Sequence, residues 1–157
     1  MTAPVRAPKS AVTLEKRMDF RRVRRQLAGW LFALAALGCG SDRYIVIGTA
    51  RAPSTSGFVE VTGSSGSSIE LKVHMEHLHT VSSLDPSLHA YVVWFEQGKA
   101  APLRAGSLRY LPEDRVGELQ ATSPYRKFVV KITAEANDKP SAPSDFVVAS
   151  QEISIAD

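Results

Sequence analysis

With 157 residues, 44% of them hydrophobic and 22% charged, the chain has the length of one globular domain with a short appendage. Its net charge of +3 is unevenly laid out: residues 1–38 carry +6 and residues 39–157 carry −3, so the basic character belongs to the head and marks no nucleic-acid-binding face on a folded domain. The single cysteine excludes an intramolecular disulfide and leaves a cysteine-based zinc or iron–sulfur site without ligands.

The head comes first. Residues 21–25, RRVRR, precede QLAGWLFALAALG at 26–38, and Cys39 follows at once. A positive region, about a dozen apolar residues and a small residue at the boundary form the architecture of a secretory signal. The run is shorter than the roughly 20 residues of a spanning helix, and it lacks the polar face of an amphipathic one. Residues 1–38 therefore read as a signal helix, and Met18, just before the basic run, is an alternative start.

Ala36-Leu37-Gly38-Cys39 resembles the lipobox of bacterial lipoproteins. The family more often places Leu three residues before the cysteine and a small residue two before it; here Ala36 and Leu37 stand in the reverse arrangement. The resemblance implies that Cys39 becomes the acylated first residue of the mature protein, held to a membrane by more than one acyl chain. Gly40 follows, not the Asp that marks inner-membrane retention in enteric bacteria, which favours the outer membrane. The other reading is an ordinary signal, a free thiol at Cys39 and a soluble secreted or periplasmic protein.

Residues 39–56 then read as a lipidated N-terminus with a first strand, and residues 43–157 as the folded domain. Short β-rich runs predict strands at 43–50, 57–62, 67–79, 88–97, 106–111, 117–121, 127–136 and 144–154, separated by turn residues such as TGSSGS, LDPS, PEDRVG and NDKPSAP. In the third, Ile69, Leu71, Val73 and Met75 share one face, and Glu70, Lys72, His74 and Glu76 the other. In the fourth both faces are apolar, which predicts a central strand with Tyr91 and Trp94 on opposite sides. Phe128, Val130, Ile132 and Ala134 alternate with Val129, Lys131, Thr133 and Glu135 in the seventh. The expected fold is all-β: a single immunoglobulin-like antiparallel β-sandwich whose core fills without a cofactor.

AYVVWFEQGKAAPLRAGSLRY, followed by KFVVKITAEANDKPSAPSDFVVAS, resembles the extracytoplasmic β-sandwich domain of anti-sigma-K factor proteins and related bacterial lipoproteins. Tyr91, Trp94, Gly98, Pro102, Gly106, Thr133, Glu135, Pro140 and Pro143 carry the likeness, which covers 88–148. The resemblance implies an extracytoplasmic sandwich. It does not bring sigma-factor binding, because 38 residues of basic signal supply neither the cytoplasmic helical domain nor the spanning helix of that family.

All four histidines, His74, His77, His79 and His89, lie within sixteen residues. On a continuous strand His77 and His79 share a face with Met75, spacing suited to one copper or zinc ion with Met75 or His89 as helper. Such a site weakens below about pH 6.5 as imidazole protonates. Solvent-facing or hydrogen-bonded histidines are the simpler reading. No catalytic residues are expected: TSGF and TGSSG are not strand-to-helix elbows, no phosphate-binding glycine loop occurs, and Glu113 with Asp114 reads as a solvated turn. As a binding module, the chain would use loops 80–88, 97–105 and 111–117, where Arg104, Arg109 and Arg115 suit an anionic partner. The expected partners are a membrane, through the lipid, and another envelope protein; no nucleic acid is expected.

Overall fold

Ile69, Leu71, Val73 and Met75 are all shut off from water, while Glu70 and Glu76 on the opposite parity are exposed, so this segment forms a strand with one buried side. The computed structural model describes residues 42–156; the expected signal segment, residues 1–38, and Cys39 lie outside the described residues. Among the described residues nine strands form in chain order: β1 (Arg43–Ile47), β2 (Ser56–Ser65), β3 (Ser68–Glu76), β4 (Ala90–Glu96), β5 (Leu103–Ser107), β6 (Arg109–Leu111), β7 (Val116–Ser123), β8 (Lys127–Glu135) and β9 (Val147–Ser154). One turn of helix, α1 (Val81–Leu84), lies between β3 and β4. The domain is all-β, with two antiparallel sheets ordered β1-β2-β3-β7-β6 and β5-β4-β8-β9.

The sheets share one core. Val59, Ile69, Leu71, Val73 and Met75 from the first meet Tyr91, Val93, Phe95, Phe128, Val130 and Ile132 from the second, with Phe95 and Phe128 packed edge to face at 5.0 Å. At one margin the chain passes between sheets. β5 leaves β4 at a bulge beside Val93 and Trp94, where Gly106 has φ +153, a conformation that side chains resist. After Leu108 the chain continues as β6 in the other sheet. At the opposite margin Gly48 bridges Ala149, the Thr49 amide donates to the Val148 carbonyl at 2.8 Å, and the Tyr44 hydroxyl donates to the Ser154 carbonyl.

Trp94 belongs to the outer face of its sheet, opposite in parity to the core residues Tyr91, Val93 and Phe95, yet it is only 1% exposed. Its Nε1 donates to Thr133 Oγ1 at 2.8 Å, and the Thr133 hydroxyl donates to Glu135, which also accepts the Ser144 amide at 2.8 Å. Ser107 Oγ donates to the Asp138 carbonyl at 2.7 Å. The connection 136–146 is thereby tied down beside the indole. Buried Thr133 and Glu135 are thus hydrogen-bonded, as most buried polar groups are.

The antiparallel pairing sorts the connections to two ends. Ser56 pairs with Glu76, Met75 with Gly117, Leu111 with Val116 and Ala90 with Glu135, which puts segments 48–55, 77–89, 112–115 and 136–146 at one end. Asp42, the 66–67 turn, the 97–102 connection and the 124–126 turn are at the other, with the last residues of β9. The chain enters β1 at that second end.

Candidate functional site

β3 stops at Glu76, three residues short of the expected boundary, because His77 turns into the left-handed region at φ 56. His77 and His79 therefore do not continue the face of Met75. Met75 is fully buried in the core, and His77 is exposed. The turn is paired with a second one. Arg115 also has a left-handed backbone, at φ 55; its carbonyl accepts the Leu78 amide at 2.9 Å, while its Nε donates to the Leu78 carbonyl and its Nη2 to the His77 carbonyl, both at 3.0 Å. The guanidinium is spent on holding two loops together.

The side chains of His77 and His79 sit beside the 48–55 connection, with His77 Nδ1 3.4 Å from Ser56 Oγ and His79 Nε2 3.3 Å from Ser54 Oγ. The His79 carbonyl accepts the Tyr91 hydroxyl at 2.7 Å. Burial, then the neighbouring Tyr110, pushes the Tyr91 phenol far above its ordinary range, so it stays a donor. His89 is exposed after α1, its amide donating to the Glu135 carbonyl at 2.7 Å. Among the described residues, no group of three or more His, Cys, Asp or Glu side chains is placed to hold a metal ion. Of the three expected binding loops, 80–88 and 111–117 meet at this end, and 97–105 starts at the other. Glu113 and Asp114 are exposed, and Arg104 reaches the Asp138 carbonyl at 3.4 Å.

A second constellation lies on the outer face of the five-stranded sheet. Ile45 pairs with Phe58, Phe58 with His74, His74 with Glu118 and Glu118 with Arg109, one row across all five strands. Phe58 stacks on His74 at 5.0 Å with the Arg43 guanidinium 4.2 Å above its ring. The two ring nitrogens of His74 lie 3.2 Å from Glu118 Oε1 and 3.2 Å from Glu76 Oε1. Arg109 donates to Glu118 at 2.9 Å, and Lys72 is 3.7 Å away. The Arg109 hydrogen bond, with that of His74 and the charge of Lys72, holds the Glu118 carboxyl below its usual range. The charged form of Glu118 is thereby favoured. A shallow depression of ≈ 380 Å³ opens beside it, lined by Lys72, Ser107, Arg109, Glu118, Leu119 and Gln120.

Sequence reasoning named Arg109 for a loop surface and missed its Glu118 partner, because only the register of β3, β6 and β7 brings these charges together. The alternation of charge along β3 was the available signal. Comparison with protein-family models, curated proteins and solved structures finds no match for this chain.

Proposed function

We propose that the chain is an exported protein of the bacterial envelope, anchored by lipid on Cys39, whose immunoglobulin-like sandwich is a non-catalytic binding, sensing or structural domain. One observation carries the reading: the strand framework starts at Arg43, four residues after the cysteine that closes the apolar run. A signal peptidase cutting before Cys39 would release an intact sandwich on a short acylated tether.

The strand order supports the immunoglobulin-like assignment. β2-β3-β7-β6 against β5-β4-β8-β9 follows the ABED and C′CFG order of such domains, with β1 as an additional edge strand. The connections 77–89 and 136–146 then correspond to the B–C and F–G loops, which antibody variable domains use for recognition; the binding role rests on that analogy. They stand at the end opposite the chain's entry into β1. The likeness of 88–148 to anti-sigma-K extracytoplasmic domains fits the same reading, and sigma-factor binding is no part of it.

Metabolic labelling with a clickable fatty acid tests the proposal. Label on the intact chain, lost in Cys39→Ala together with membrane association, is the expected result. Label that persists in Cys39→Ala, or none on the parent, contradicts it.

A further inference from the structure

β1 carries the two most exposed large hydrophobic residues among the described ones. Ile45 is 61% and Ile47 69% open to solvent, against 39% for Leu103 and 36% for Leu111. Parity places Arg43, Ile45 and Ile47 together on the outer face of an edge strand. Phe58, the cross-strand neighbour of Ile45, is covered by Arg43 and His74, so the two isoleucines stand out uncovered beside it. An exposed aliphatic edge is a liability that natural sheets blunt with charge or cover. Here the chain's own position indicates the cover.

Three residues separate Arg43 from Cys39, so the four Cα steps between them reach at most about 14 Å when fully extended. A tether that short turns contact between β1 and the anchoring membrane into an intramolecular event at high effective concentration. The face has no excess of cations to drive contact by charge. Arg43, Lys72 and Arg109 share it with Glu60, Glu70, Glu76 and Glu118, several of them already paired. Aliphatic insertion is the remaining attraction.

We propose that β1 rests Ile45 and Ile47 at the headgroup boundary of the membrane that holds Cys39, so that the sandwich lies on its β1 margin instead of standing on the end where the chain enters. This rests on the lipoprotein reading. The loops 77–89 and 136–146 then face along the membrane, toward a partner in the same bilayer.

The acylated cysteine leaves any introduced thiol as the sole reactive one. Full-length chains carrying Ile47→Cys, Lys99→Cys or Ser82→Cys are purified from membranes, checked for Cys39 acylation by intact mass and labelled with an environment-sensitive fluorophore. They are then placed in phosphatidylethanolamine–phosphatidylglycerol vesicles bearing nitroxide near the headgroups. Ile47 lies toward the far end of β1, Lys99 in the connection at the entry end, and Ser82 in α1. The expected result is a blue shift and strong quenching at position 47, with weak quenching at 99 and 82. Acylated protein quenched at 99 more than at 47, or at neither, overturns the side-lying arrangement and leaves the lipoprotein reading standing. An unacylated Cys39 overturns both.

Discussion

His77 and Arg115 occupy backbone conformations that disfavour a side chain, and they differ in what the side chain gives in return. Arg115 donates to two loop carbonyls, whereas exposed His77 has one long contact to Ser56. Arg115→Ala is expected to lower stability by about 1–2 kcal/mol in urea unfolding, and His77→Gly to leave it unchanged or raise it by up to about 1 kcal/mol. A costly His77→Gly would give the imidazole a role that the geometry lacks. The same geometry sets the metal expectation. Titrating residues 41–157, which contain the sandwich core, with copper and zinc should give weak heat that a His77→Ala, His79→Ala variant does not change; stoichiometric binding lost in that variant would establish the metal reading. Glu118 provides a pH signature. Its carboxyl is held low in the folded state, so its stabilising contribution is present above the unfolded value near 4.5 and disappears as pH falls through the lower folded value. The gap in urea midpoint between the parent and Glu118→Gln should therefore close below about pH 4.5. A gap independent of pH would contradict the ion-pair account.

At the scale of elements, β2 and β3 come together at Gly57 more closely than a side chain there would allow. A Cβ on Gly57 would come within 2.1 Å of the His74 carbonyl oxygen and 2.9 Å of the Met75 Cα, both backbone atoms. Gly57→Ala should cost at least about 2 kcal/mol in thermal or urea unfolding, and a near-neutral result would mean that the two strands lie farther apart. The strands themselves were largely legible, because hydrophobic patterning is a local signal: the buried face of β3 and the opposed Tyr91 and Trp94 follow from period two, and the central position of β4 from apolar residues at both parities. The boundaries that failed depend on distant partners. Residues 43–50 give a strand only to Ile47, since Gly48 departs to bridge Ala149. The expected strand 106–111 is the end of β5 and all of β6, in different sheets, with Gly106 at the bulge where the chain crosses. The Glu118 cluster was legible only in the charge alternation of β3, for a related reason. Its members come from β3, β6 and β7, and only cross-strand register joins them.

Across the whole sandwich, the sheets are joined at both margins and the core is filled by the chain's own side chains, so folding needs no disulfide between them. The connections 77–89 and 136–146 gather at the end away from the chain's entry, while the entry end joins a segment with the pattern of an export signal. The proposed export and anchoring at Cys39 would give these features a common purpose, a recognition surface presented from a membrane. Intact mass spectrometry of the protein extracted from membranes of a lipoprotein-processing bacterium tests this most directly. The expected species begins at Cys39 and exceeds the mass of residues 39–157 by a diacylglyceryl group, with or without an added amide-linked acyl chain. A chain that retains residues 1–38, or one that begins elsewhere with Cys39 unmodified, would contradict it.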